Sequence, residues 1–281
     1  MGSAEDMKPA LVMAAGAWNG RAEAEDSMLD IRQIPVLSDN YVYLVRETES
    51  GAVAVVDPAV AAPVLAEAER LGWGITHILN THHHGDHVGG NREIQAATGC
   101  TIVGPRADRD RIPGIQVEVG DGDAHAFGAA TATVFDVPGH TRGHIAYWFE
   151  ADDALFCGDT LFALGCGRMF EGTAPQMWHS LGKLRALPDT TRVYCAHEYT
   201  QANARFALSV DGGNADLVAR AKEIDAARAR GEPTVPSLLG EEKATNPFLR
   251  ADDPVLAANV GLAGGDPVSV FAEVRSRKDS F

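Results

Sequence analysis

The chain has 281 residues, with 39 acidic against 24 basic side chains for a formal charge of −15, and is 45% hydrophobic but only 7% aromatic. At about 150 residues per domain, this length suggests one large domain and a smaller one. Such a chain buries about three quarters of its unfolded surface, so no disulfide or zinc staple is needed. The acidity argues against nucleic acid as a partner, and the longest uncharged apolar stretch, Pro9 to Trp18, falls far short of the ~20 residues of a bilayer span.

Residues 1–27 are rich in Ala, Gly and Glu without strand alternation or a helical face, and are expected to be a disordered extension, with Met28 as an alternative start. From Leu29 the pattern changes. β-Branched runs at Leu29–Val36, Tyr41–Arg46 and Ala52–Asp57 predict an opening meander. Val64, Leu65, Ala68 and Leu71 then place an apolar face on a helix ending at Gly72. Ile75–Asn80 reads as a buried strand and Asp86–Thr98 as one helix. Further strands are expected at Thr101–Gly104, Gln116–Val119, Thr131–Val137, Ile145–Phe149 and Ala154–Cys157. Met177, Leu181, Leu184 and Leu187 mark a helix before the strand Arg192–Ala196. Beyond Tyr199 the strands are expected to stop. Ala202–Arg230 has helical character, and Val268–Arg277 reads as a final helix after the turn at 264–267. The expectation is therefore an α/β layered domain over 28–199 and a helical domain over 200–281.

The most informative segment is Thr81-His82-His83-His84-Gly85-Asp86-His87, between a strand and a helix. In extended backbone, residues two apart point the same way, so His82 and His84 can grip one ion while His83 faces away. After the turn at Gly85, Asp86 and His87 are aimed at a second position. Imidazole with carboxylate suits zinc, iron or manganese, and the absence of thiolate argues against a closed structural zinc site. Three later strands each end on one more ligand type, namely His140, Asp159 and His197. Strand ends are where α/β proteins assemble their sites. The four cysteines, Cys100, Cys157, Cys166 and Cys195, form no C-x-x-C pair and read as reduced thiols of a cytoplasmic protein. Cys166 or Cys195 could be imagined as a nucleophile, but the neighbouring imidazoles are committed to metal.

The motifs THHHGDH at 81–87, GGN at 89–91, PGHTRGH at 138–144, GDTLF at 158–162, GCGR at 165–168, AHEYT at 196–200, NPF at 246–248 and RSRKD at 275–279 resemble the metallo-β-lactamase superfamily, and within it glyoxalase II. The resemblance implies an αββα sandwich followed by a smaller C-terminal α-helical domain. It implies that His82, His84 and His140 bind one metal, that Asp86, His87 and His197 bind a second, and that Asp159 bridges both. Zinc is the first expectation, with iron or manganese as alternatives. Asp86 would also help orient the water, making Asp86 and Asp159 the catalytic side chains. Arg168 and Tyr199 would contact glutathione, and Arg275 and Lys278 would hold its glycine carboxylate. Some family members have Lys in place of Arg168, and others Tyr in place of Phe170, so one hydroxyl contact is missing here. His144 is expected near the metals without ligating them, and His83 as a structural neighbour. His77, His125 and His179 are expected to be ordinary surface or core residues.

The activity so implied is hydrolysis of S-(2-hydroxyacyl)glutathione, such as S-lactoylglutathione, to glutathione and a 2-hydroxy acid such as D-lactate, completing methylglyoxal detoxification. Two ions about 3.5–4 Å apart lower the pKa of a shared water toward neutrality. A thiolate leaving group with a pKa of about 8.5 needs little protonation to depart. The alternatives are a lactonase, a β-lactamase, a mononuclear persulfide dioxygenase and a metal-stabilised binding module. The expected protein is a monomer that takes a small-molecule substrate, without nucleic acid or membrane.

Overall fold

The structure, a computed structural model, describes residues 28–281, so the expected extension over 1–27 lies outside the described residues. In chain order the strands are β1 (Leu29–Val36), β2 (Asn40–Glu47), β3 (Val53–Val56), β4 (His77–Leu79), β5 (Thr101–Pro105), β6 (Val117–Val119), β7 (Ala124–Phe127), β8 (Ala130–Asp136), β9 (Ile145–Phe149), β10 (Ala154–Gly158), β11 (Leu161–Phe162), β12 (Gly165–Cys166), β13 (Arg192–Cys195) and β14 (Ser237–Leu238). The helices are α1 (Ala62–Leu71), α2 (Gly85–Val88), α3 (Asn91–Thr98), α4 (Ala174–Arg185), α5 (Thr200–Asp211), α6 (Ala215–Ala229), α7 (Leu239–Thr245), α8 (Pro254–Asn259) and α9 (Pro267–Asp279).

Two six-stranded sheets, ordered β1-β2-β3-β4-β5-β6 and β14-β13-β10-β9-β8-β7, stack face to face. Alternation along β2 and β3 shows how the layers form. Tyr43, Val45, Ala54 and Val56 join the core between the sheets with Phe127, Val134, Tyr147 and Phe156. Their neighbours Val42, Leu44, Val53 and Val55 face outward, where Val64 and Ala68 of α1 and Ile94 of α3 cover them. Because both faces of the sheet are buried, its strands read as continuous apolar runs. Met177, Leu181 and Leu184 of α4 add the fourth layer of an αββα sandwich.

Several expectations need correction. The helix expected over Asp86–Thr98 is two helices, α2 and α3, broken at Gly89-Gly90. A Cβ on Gly89 would lie 2.5 Å from Ala59 O, and Gly90 N donates to Pro58 O, so this pair lets the chain pass close under the loop after β3. The helical stretch expected over Ala202–Arg230 is likewise divided at Gly212-Gly213, and Asn214 caps α6 through the amides of Asp216 and Leu217. Strands do not stop at residue 199. β14 pairs antiparallel with β13, extending the second sheet, and β7 and the β11–β12 hairpin were also not anticipated. The C-terminal helices are thus fastened to the sandwich, with the Phe271 ring of α9 6.1 Å from Trp178 of α4. Asn246, from the NPF motif, donates to Phe162 O and Gly165 O, holding the β11–β12 hairpin at the edge where the sheets meet.

Candidate metal centre

At one end of the sandwich the sheets are tied together by backbone bonds: Tyr41 N donates to Ala196 O and Ile145 N to Thr81 O. Segments that follow β4, β8, β10 and β13 converge there. Asn80 Nδ2 reaches back to His87 O, and Thr81 donates through N and Oγ1 to Asp57, which pins the His-rich turn at both ends.

His82 Nε2 lies 3.1 Å from His84 Nδ1, which lies 3.0 Å from His140 Nε2. Three imidazole nitrogens at these separations approach the ~3.3 Å edge of a tetrahedron with zinc–nitrogen bonds of about 2.05 Å. A second group forms beside it. Asp86 Oδ2 is 3.7 Å from His87 Nε2 and 3.6 Å from His197 Nε2. Asp159 stands between the two groups: Oδ2 is 3.3 Å from His140 Nε2, while Oδ1 is 3.5 Å from His87 Nε2 and 3.4 Å from His197 Nε2. All seven expected ligand residues therefore come together.

The chemistry of this donor set fits divalent cations. His87 Nε2 and Asp159 Oδ1 are buried and have no hydrogen-bond partner, which leaves both lone pairs for an ion. Burial holds His82, His84 and His140 below the ordinary imidazole range, so they present the neutral form that ligates. Burial also opposes charge on His87 and His197, but Asp159 outweighs it, aided by Asp57 at His87 and Asp39 at His197, and both rings are raised. Burial would likewise raise Asp159, yet His87 and His197 hold it well below the usual carboxylate range. The carboxylate favours positive charge between these rings, which a bound cation would supply.

The far side of each ring is anchored. His87 Nδ1 lies 3.0 Å from Asp57 Oδ2, His197 Nδ1 2.8 Å from Asp39 Oδ1, and His140 Nδ1 2.8 Å from Arg168 O. Such contacts fix tautomer and ring orientation. Asn40 Nδ2 donates to Asp86 Oδ2 at 3.1 Å. Sequence reasoning missed Asp39, Asn40 and Asp57. Asp57 had a usable signal, since like Asp159 it is an acid just past a strand. His144 is buried, stacked at 4.5 Å on His82, and its Nε2 accepts from Asp159 N, as expected of a non-ligating neighbour. His83 turns away to Asp108 and Arg111.

The expected substrate residues differ in accessibility. The Tyr199 ring stacks on His197 at 4.7 Å and 4°. The Arg168 side chain is exposed, and Lys278 is half-buried. Phe170 is exposed, 5.2 Å from the His140 ring. Arg275, expected to hold the glycine carboxylate, is buried and already engaged by other groups of the chain. It is 3% exposed, donates to Cys166 O at 2.9 Å, pairs with Asp279 at 2.9 Å and lies 5.0 Å from the Phe248 ring. Its guanidinium braces α9 against β12. The four cysteines are unpaired and buried. Burial pushes Cys166 up to about 11 and Cys195 up to about 12, so neither is a thiolate at neutral pH.

Comparison with known proteins agrees with this arrangement. A family model described as the metallo-beta-lactamase superfamily matches residues 37–197, and one described as the hydroxyacylglutathione hydrolase C-terminus matches residues 198–281. The chain is 63% identical over 254 residues to a hydroxyacylglutathione hydrolase of Methylococcus capsulatus, covering 90% of this chain and 99% of the relative. It is 62% identical over 255 residues to one of Rhodospirillum rubrum, covering 91% and 100%. Among solved structures, ETHE1 from Myxococcus xanthus superposes with a TM-score of 0.64 at 26% identity, covering 88% of this chain and 90% of the other. Two matched segments, high identity over nearly the whole of each relative and a convergent His/Asp site lead to one assignment: the chain belongs to the hydroxyacylglutathione hydrolase family of the metallo-β-lactamase superfamily.

Proposed function

We propose that this chain hydrolyses S-(2-hydroxyacyl)glutathione thioesters, such as S-lactoylglutathione, to glutathione and a 2-hydroxy acid. The observation that carries the reading is the placement of Asp159, with one carboxylate oxygen facing each of two ligand groups. His82, His84 and His140 would hold one divalent ion and Asp86, His87 and His197 another, with zinc the first candidate and iron or manganese the alternatives. When bound, such ions supply Lewis acidity, delivering hydroxide near neutral pH and withdrawing charge from a carbonyl.

The chain's own side chains do the rest. Asp86 is 41% exposed on its side chain and held by Asn40, so it can orient a water on the open side of the site. Phe170 and Tyr199 flank the His-rich centre and exclude solvent from the thioester. Arg168 and Lys278 meet the charge of the glutathione portion, while Arg275 steadies the helix that carries Lys278. A thiolate with a pKa of about 8.5 leaves without a dedicated acid. Phe170 offers no hydroxyl, so affinity depends more on these cations.

The buried, unpaired cysteines support a reducing, cytoplasmic compartment. No helix among the described residues is long and apolar enough to cross a membrane.

The test is thioester consumption by metal-loaded protein, with and without a chelator and beside a lactam. Chelator-sensitive turnover of S-lactoylglutathione is expected, with the circular dichroism of the stripped protein retained. Lactam turnover without thioester turnover would overturn the reading.

A further inference from the structure

A two-stranded hairpin is too small to hold its own shape in water, and each buried peptide group needs a partner. The β11–β12 hairpin meets both needs from outside itself. Residues 161–167 are all buried, and the two strands pair only through Leu161 with Cys166 and Phe162 with Gly165. Asn203 of α5 donates to Ala163 O at 3.0 Å, and Arg275 of α9 donates to Cys166 O at 2.9 Å. Asn246, at the end of α7, donates to Phe162 O at 3.1 Å and to Gly165 O at 3.0 Å. Glu242 of α7 accepts from Leu164 N at 2.8 Å. All four side chains belong to the helical segment that follows β13. The Leu164 side chain, on a residue with φ 56°, is itself buried among Ala204 and Ala207 of α5 and Leu217 and Ile224 of α6.

Both stems of the hairpin run into the metal centre. Asp159, with one oxygen toward each ligand group, stands two residues before β11. Past β12, Gly167 N donates to Thr160 O at 3.2 Å, and Arg168 O accepts from His140 Nδ1 at 2.8 Å. A tilt of the hairpin therefore moves a candidate ligand on one stem and, on the other, the carbonyl that orients His140.

Glu242 is the joint of this clamp. It is fully buried, and the oxygen that accepts from Leu164 N also accepts from Asn246 Nδ2 at 3.0 Å. Its other oxygen pairs with Arg220 of α6, which donates to Thr245 Oγ1 at 2.7 Å as well. A buried ion pair adds little net stability over apolar side chains of similar volume, because desolvation offsets its attraction. What the carboxylate does supply is direction, since one oxygen fixes both the hairpin turn and the Asn246 amide.

We propose that Glu242 is a positioning residue for the metal centre, acting from α7 through the β11–β12 hairpin on Asp159 and His140. The inference rests on the metal centre of the function proposed above. Gln at this position would turn an NH2 group either toward the Leu164 and Asn246 donors or toward Arg220, so one side of the joint opens.

The test uses full-length protein stripped of metal, with the variants Glu242→Gln, Asn203→Ala and Arg250→Met. Arg250 pairs with Asp211 and Asp253 among the same helices, so its loss lowers stability without touching the hairpin. Zinc affinity, measured by calorimetric titration, should fall about tenfold in Glu242→Gln and in Asn203→Ala, the lower end of the range for groups that support a ligand. The visible absorption of the cobalt(II)-loaded variants should shift with it. Arg250→Met should unfold at a lower temperature yet keep the wild-type zinc affinity and cobalt spectrum. Wild-type affinity and spectrum in Glu242→Gln, or an equal loss in Arg250→Met, overturn the assignment. If Glu242→Gln does not fold, Asn203→Ala decides by the same two measurements. Zinc binding that depends on Glu242 in a protein that turns over no thioester would sink the functional reading and leave this inference standing. Wild type that binds neither zinc nor cobalt overturns the inference by itself.

Discussion

Asp57 Oδ2 lies 3.0 Å from His87 Nδ1 and 2.6 Å from Thr81 Oγ1, so one buried carboxylate ties the end of β3 to both ends of the His-rich turn. The residue adopts φ 49°, a left-handed conformation that Asn and Asp tolerate better than most side chains. Asp57→Asn therefore preserves the backbone while removing the charge behind His87. Groups that hold a ligand's far nitrogen are worth about 10–100-fold in metal affinity. We expect Asp57→Asn to weaken zinc binding on titration by about that factor, while circular dichroism remains that of the wild type. Undiminished zinc affinity would show that Asp57 serves only the loop.

Gly167 makes a different demand on the same centre. A Cβ there would meet Asp159 O at 2.0 Å and His140 Nδ1 at 3.1 Å, one backbone atom and one ligand ring. Neither can yield without moving the carboxylate placed between the two ligand groups. Gly167→Ala should lower metal content and kcat together by more than tenfold, since misplacing a reacting group by about 1 Å can lose 100-fold in rate. Elemental analysis of the purified variant checks it. Full occupancy with wild-type turnover would mean that the β12 loop relaxes freely.

These two residues also show where sequence reading stops. The seven candidate ligand residues were legible because four of them share the His/Asp-rich turn after β4, while His140, Asp159 and His197 each follow a later strand, and strand ends gather in this architecture. The sandwich was legible because Val42 to Val45 and Val53 to Val56 are apolar on both faces. Asp57 obeys the strand-end rule but was absorbed into its strand. Asp39 and Asn40 precede a strand and carried no local pattern. The burial of Arg275 was not legible because charge is visible in sequence while burial is not, and the Cys166 carbonyl it bonds is 109 residues away. The strand β14 is two residues long, too short for periodicity to register, and exists only because β13 offers it an edge.

Arg111 organises the wall beside the metal centre. Its guanidinium donates to Glu171 at 2.5 and 3.1 Å, to His83 Nε2 at 3.1 Å and closely to Asp108. Glu171 also accepts from Arg142 N at 2.9 Å and immediately follows Phe170. The Arg111 guanidinium, with the Arg142 amide, lowers the Glu171 pKa to about 2. Removing the arginine takes the guanidinium partner from Asp108, whose side chain is fully buried, and leaves the His83 ring at 3.0 Å from its carboxylate. Arg111→Met should destabilise the fold by about 1–3 kcal/mol and loosen the Phe170 loop, raising KM more than it lowers kcat. Thermal unfolding and steady-state kinetics on one preparation check both parts, and a stability loss without a KM change would separate Phe170 from the network.

At the opposite end of the sandwich, Glu47 fastens the first sheet to the second. It is buried and accepts from Glu49 N at 2.7 Å, Ser50 N at 2.8 Å, Ala129 N at 3.2 Å and the Ser50 hydroxyl. The Ser50 hydroxyl above all, then the amides, lower its pKa from 4.5 to about 2 against the opposing effect of burial. Because the folded-state pKa is the depressed one, the stabilisation is fully present above about pH 4.5 and disappears as pH falls toward 2. Glu47→Gln keeps the shape but turns an NH2 group toward N–H donors. It should lower stability at pH 7 by about 1–3 kcal/mol. The gap from wild type should then narrow as unfolding is repeated at successively lower pH, because protonation weakens the native carboxylate while leaving the amide unchanged. A gap that stays constant from pH 7 to pH 3 would mean that Glu47 binds its donors equally well in both protonation states, and its ionic role in joining the sheets would be wrong.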